Sequence, residues 1–189
     1  MSDADQLRRL LLQRSVRRGD FVLASGQRSS YYIDCRPTTM SAEGQVLIGR
    51  LGLAALQSAG WHPRAIGGLT MGADPVAYAI AAASWGSASP IDAFSVRTEA
   101  KGHGTGRLIE GNFASGDAVV VVEDVITSGG SAERAISAVT DAGGKVLGVL
   151  AVVDRQQGGR EHLSQLGHKV VSITTTSELG LVPSVASSS

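Results

Sequence analysis

The sequence predicts an α/β fold with a mostly parallel sheet covered by helices on both faces. Three observations predict it. Several short segments are apolar throughout, among them AIGGL (65–69), VVVV (119–122) and VLGVLAVV (146–153). Strands of that kind are buried on both sides, as in parallel sheets. Between them run helix-length segments with one apolar face, the alternation that makes α/β domains. The 189 residues include 24 glycines, enough for the tight turns that such crossovers need.

Each element follows in order. Residues 4 to about 18 predict a helix with Leu7, Leu10 and Leu11 inward and arginines on a solvated face, ended by Gly19. Phe21–Leu23 and Tyr31–Asp34 predict short strands about the turn Ser25–Arg28. Ser41 opens a helix to about Ser58, closed by Gly60. Ala65–Leu69 is a strand, Thr70–Asp74 a loop, and Pro75 suits the first turn of a helix to about Ala83. Ile91–Val96 is the next strand. Arg97–Gly111 is polar, rich in glycine and aperiodic, and predicts a loop. Ala118–Val122 is a strand, Ser131–Ala142 a helix, Val146–Val153 a strand, Arg160–Leu166 a helix and Val170–Thr175 a last strand. No repeat or linker interrupts the chain, so one domain is expected over 1–183, with a flexible tail at 184–189.

Composition narrows the function. Lysines and arginines number 17, as do aspartates and glutamates, so the formal net charge is zero. A nucleic-acid or membrane-surface protein would carry a basic excess. The first residues, MSDADQLRRLLLQ, lack the apolar centre of a signal peptide. No apolar run is long enough to span a bilayer. The single cysteine, Cys35, fits a reducing compartment. A cytoplasmic protein is expected.

In open α/β sheets, ligands bind at the carboxyl ends of the strands. Four such ends carry polar residues here: Thr70, Arg97, Glu123–Asp124 and Asp154–Arg155. The stretch VVVVEDVITSGGS (119–131) joins a buried strand, two carboxylates and a Thr-Ser-Gly-Gly-Ser turn before a helix. Free N–H groups at a helix start bind anions. Gly129 and Gly130 allow close backbone approach, and Thr127, Ser128 and Ser131 add hydroxyls. No lysine follows the glycines, so this is not the nucleoside-triphosphate loop; a phosphate monoester suits it better. The plainer alternative is a strand-to-helix turn with Ser131 as N-cap. Two carboxylates at the end of a core strand need partners, and ribose hydroxyls are suitable ones.

The same stretch resembles the phosphoribosyl-diphosphate signature of the type I phosphoribosyltransferases. Within that family, LASGQRSSYYIDCR (23–36), GLTMGADPVA (68–77), VRTEAKGHGTGRLIEG (96–111) and VVDRQQGG (152–159) resemble segments of the orotate phosphoribosyltransferases, in the expected order. The resemblance implies a parallel sheet flanked by helices, with a small N-terminal hood mainly from 19–40 on a core of about 41–183. It implies transfer of the phosphoribosyl group to orotate. Phosphoribosyl diphosphate would be bound by Arg97, Lys101, His103, Glu123, Asp124 and the loop Val125, Ile126, Thr127, Ser128, Gly129, Gly130 and Ser131. Lys101, His103, Glu123 and Asp124 would be catalytic. Orotate would meet Thr127, Arg155 and Tyr32. Mg²⁺ would be held through substrate and water, with no direct protein ligand. A homodimer with shared active sites is implied too, with no nucleic-acid or membrane partner. Members usually have Arg-Lys where this chain has Arg97-Thr98, and some have a lysine where it has Ala24. Thr98 cannot supply the lost charge. A purine base in place of orotate, and a non-catalytic binder of phosphoribosyl diphosphate, are the competing readings.

Overall fold

A computed structural model describes residues 1–22, 28–99 and 108–181. The elements are α1 (Asp3–Arg14), β1 (Val16–Val22), β2 (Arg28–Ile33), α2 (Arg36–Thr39), α3 (Ala42–Ala59), β3 (Ala65–Leu69), α4 (Ala73–Ser84) and β4 (Asp92–Val96). Then come β5 (Ile109–Gly111), β6 (Ala118–Ile126), α5 (Gly130–Asp141), β7 (Lys145–Asp154), α6 (Gly159–Gln165) and β8 (Val170–Thr175).

The main sheet runs β5-β4-β3-β6-β7-β8. All its pairs are parallel except β4–β5. Side chains alternate along a strand, and β6 shows what that does. Val120 and Val122 pack with α1, α3 and α4 through Leu11, Ile48, Leu56, Val76 and Ile80. Val119 and Val121 pack on the other face with Ala135, Val139 and Leu163 of α5 and α6. Each such valine, fully buried, contributes about 2 kcal/mol. The expected two-sided parallel sheet is therefore present.

Helix ends follow local chemistry. Ser41 accepts from the Gly44 amide at the start of α3, and Gly60 closes it in the left-handed region at φ 72°.

The N-terminal region differs from expectation. The first helix stops at Arg14, and Val16–Val22 pairs antiparallel with β2. Arg17 and Arg18 lie opposite Tyr32 and Tyr31 in this hairpin. Nothing between Arg14 and Gly19 signals a helix stop; the partner strand imposes it. The hairpin, which overlaps the hood expected at 19–40, joins the core through Tyr31, Ile33 and Cys35, and Leu7, Leu10 and Leu11 of α1 pack in the same cluster. The short helix α2 follows. A second difference lies at 109–111, expected as loop but paired as an edge strand with β4. A third concerns β6, which runs on through Glu123 and Asp124 to Ile126 because Val125 and Ile126 still pair with Val153 and Asp154.

Candidate active site

Carboxyl ends of β3, β4, β6 and β7 gather the predicted polar residues along one edge of the sheet. Glu123 and Asp124 are consecutive strand residues, so they open on opposite sides of β6. Glu123 lines a cavity of about 90 Å³ bounded by the loop Val125–Ser131 and Ala132. It is only 6% exposed, and its Oε1 has no hydrogen-bond partner among the described residues. Burial, reinforced by the charge of Asp124, pushes its carboxyl up to about 8. Asp124 lies on the other side, under Gly72 of the β3–α4 loop: a Cβ on Gly72 would sit 2.6 Å from its Oδ1. Burial raises the Asp124 carboxyl as well, against the Val125 amide, which donates to Oδ1 at 2.9 Å.

The phosphate-type loop is an open helix start. Gly129 has φ 87°, and among the described residues no side chain caps α5. Ser131 therefore sits inside the first turn and does not serve as its cap. The first-turn amides of α5 keep their capacity for an anion. The loop is braced from behind by α6. A Cβ on Gly159 would lie 2.6 Å from the Thr127 carbonyl oxygen and 2.9 Å from the Gly129 nitrogen, so only glycine fits. His162 of α6 pairs with Glu133 of α5 at 2.8 Å.

Arg155 follows β7. Its N–H donates to Ile126 O at 3.0 Å, and its carbonyl accepts from the Thr176 hydroxyl at 3.0 Å. An ion pair with the adjacent Asp154 would be a plainer role for this residue, but Asp154 is held by Arg160 at 2.8 Å. Arg155 is 5% exposed, and its guanidinium carbon stands 5.5 Å from the centre of the Tyr31 ring. Tyr32 faces the other way, 42% exposed, with its ring 5.8 Å from that of Phe21. Tyr31 is thus a site neighbour that sequence reasoning missed. Strand alternation signals that one of the two tyrosines points inward, without saying which.

Asp34 and Arg36, also missed, form a two-pronged ion pair at 2.8 and 2.9 Å at the end of the hood. Arg36 holds the Asp34 carboxyl below its usual range, and both groups act electrostatically on Asp124.

Arg97 lies at the end of β4. Its N–H donates to Leu108 O at 2.8 Å and its guanidinium pairs with Glu110 at 3.0 Å. It borders a cleft with Thr70, Asp74, Tyr78, Ser95 and Thr98. Lys101 and His103 lie outside the described residues. Among the described residues no three carboxylate, imidazole or thiol groups converge on a metal position. Mg²⁺ commonly binds through one or two carboxylates, waters and substrate phosphates. Asp124 and Glu123 beside the open start of α5 fit such an ion.

Residues 45–174 match the model of the phosphoribosyl transferase domain. Orotate phosphoribosyltransferase of Aquifex aeolicus is 44% identical over 95% of this chain and 98% of its own. That of Mycobacterium tuberculosis H37Rv is 45% identical over 95% and 97%. This chain belongs to the orotate phosphoribosyltransferases. Solved members of this family superpose closely. The M. tuberculosis H37Rv enzyme with Fe(III) dicitrate gives a TM-score of 0.82 at 44% identity, covering 95% of this chain and all of the other. The same enzyme in complex with 5-phospho-α-D-ribosyl 1-diphosphate gives 0.79 at 41% identity, with equal coverage. Adenine phosphoribosyltransferase from Saccharomyces cerevisiae, at 19% identity and a TM-score of 0.65, shares the fold.

Proposed function

We infer that this phosphoribosyltransferase transfers the 5-phosphoribosyl group from phosphoribosyl diphosphate to orotate, giving orotidine 5′-monophosphate and diphosphate in pyrimidine synthesis. The observation that carries the reading is an uncapped helix start beside a buried carboxylate, with a second carboxylate on the other side of the same strand end. A phosphate monoester belongs in the Thr127–Ser131 loop. Glu123 and Asp124 then bracket the ribose and accept hydrogen bonds from its hydroxyls. Asp124, and Glu123 once ribose hydroxyls offset its burial and let it ionise, favour the positive ring that develops as diphosphate departs, a transition state related to that of glycoside hydrolysis. The Thr70–Asp74 loop is assigned to the departing diphosphate.

Arg97, Lys101 and His103 are assigned to the diphosphate, where positive charge stabilises the leaving group and water is excluded. Arg155 takes the anionic edge of orotate, for which a guanidinium fork is shaped, with Thr127 at the base edge and Tyr32 on its face. Mg²⁺, when bound, would offset the charge of the diphosphate; Asp124 and Glu123 would hold it through ribose oxygens and water. A cytoplasmic homodimer with shared active sites completes the reading, Lys101 reaching the partner's site.

A panel of orotate, uracil, adenine and hypoxanthine, each with phosphoribosyl diphosphate and Mg²⁺ and read by product mass, tests it. Orotidine monophosphate alone is expected; a purine nucleotide as main product overturns the base assignment. Mixing a Lys101→Ala chain with an Asp124→Asn chain tests site sharing. Each hybrid dimer holds one site built from two intact halves, so it should regain about half a native site pair's activity; no recovery contradicts shared sites.

A further inference from the structure

Among the described residues, the Nε and Nη2 atoms of Arg155 are both buried without a hydrogen-bond partner, and so is the Tyr31 hydroxyl. In a guanidinium, the Nε–H and one Nη2–H lie along the same edge and point the same way, the side-on fork that pairs with a carboxylate. The two unbonded atoms are that fork. Its main chain is rigid. Ile126 and Thr176 bind Arg155 at both ends. Gln156, at φ 55°, accepts from the Thr176 hydroxyl and from the amide and hydroxyl of Ser177. The side chain has no such tether. The neighbouring carboxylate, Asp154, is committed to Arg160 and to the Gln156 amide. What meets the guanidinium is the face of Tyr31, itself 2% exposed on the inner side of β2.

We propose that Tyr31 is a positioning residue for base recognition: its ring face holds the Arg155 guanidinium by cation–π attraction and leaves the Nε–Nη2 fork unbonded for a planar, anionic base edge. This rests on the reading that Arg155 contacts the base. The physical advantage over a carboxylate partner is specific. A carboxylate would take the fork's donors and neutralise its charge. An aromatic face attracts the cation through the ring quadrupole and consumes no N–H. The hood strand thereby sets the aim of a residue on the core sheet, so the first segment of the chain contributes to specificity.

The test keeps shape and varies the ring's electrostatics. Tyr31→Phe is compared with mono-, di- and trifluorinated phenylalanine at position 31, since fluorine withdraws charge from the ring face. The KM for orotate should rise stepwise, to roughly tenfold for the trifluorinated ring, while the KM for phosphoribosyl diphosphate stays within about twofold. A flat orotate KM across the series overturns the proposal. Arg155→Ala separates the two claims. If it raises the orotate KM while the ring series is flat, only the role of Tyr31 fails. If Arg155→Ala leaves the orotate KM unchanged, the base-contact reading fails with it. Fluorination alters neither backbone nor packing volume appreciably, so a purely structural role for the ring would not produce a graded effect confined to one substrate.

Discussion

Glu123→Gln replaces a buried carboxyl with a neutral amide of nearly the same shape. In the folded chain burial holds the Glu123 proton up to about pH 8, whereas an unfolded chain releases it near 4.5. The sign follows from proton counts. Between those limits the folded state binds one more proton than the unfolded state, so stability falls as pH rises, by about 1.4 kcal/mol per pH unit. Below pH 4.5 both states are protonated and the contribution vanishes. Above pH 8 both are ionised, and burying the charge costs about 5 kcal/mol. The glutamine variant has no such titration. Urea unfolding of the ligand-free native and variant proteins from pH 4.5 to 8.5 checks it. The variant's relative stability should grow steadily across that range, by several kcal/mol in all. Asp124, raised in both proteins, largely cancels in the difference. A stability difference that stays constant with pH would refute the argument that Glu123 is protonated and desolvated in the free protein.

Further outcomes follow from the same geometry. Gly159→Ala should push the Thr127 carbonyl and the Gly129 amide out of place, raising the KM for phosphoribosyl diphosphate about tenfold or more with a smaller change for orotate; steady-state kinetics with each substrate varied reads this. Arg160→Leu strands the buried carboxylate of Asp154 and should cost about 3 kcal/mol in urea unfolding. Lys101→Ala should remove most turnover while the thermal midpoint stays within about 2 °C of native, as a non-catalytic binder would not. Thr98→Lys restores the charge usual in the family and should tighten diphosphate inhibition by roughly 10- to 30-fold, since a charge-assisted contact is worth about 2 kcal/mol; an unchanged inhibition constant would show that Thr98 is not at the diphosphate.

The apolar strands were legible because burial on both faces leaves a continuous mark: Ala65–Leu69 and Val170–Thr175 are strands with the expected limits. Ser41 and Gly60 marked α3 through cap chemistry that operates within a few residues. What escaped depends on partners far along the chain. Val16–Val22 is polar at its centre and becomes a strand through β2, and Ile109–Gly111 does so through β4. The continuation of β6 through two carboxylates comes from its register with β7. That continuation also splits Glu123 from Asp124, which their adjacency in sequence did not suggest. At the site, the Thr127–Ser131 loop could be read from composition and position. The bracing of that loop by Gly159, and the choice of Tyr31 over Tyr32 as the neighbour of Arg155, required the packing of α6 and the hood.

Orotate loses ultraviolet absorbance as it becomes orotidine monophosphate, and that loss is the most direct test of the central claim. On mixing purified protein, Mg²⁺, orotate and phosphoribosyl diphosphate, absorbance should fall with matching release of diphosphate, and omission of any component should abolish it. No fall in absorbance, with phosphoribosyl diphosphate still bound in a titration, would contradict the assignment to orotate and leave a site that binds the sugar diphosphate for another purpose.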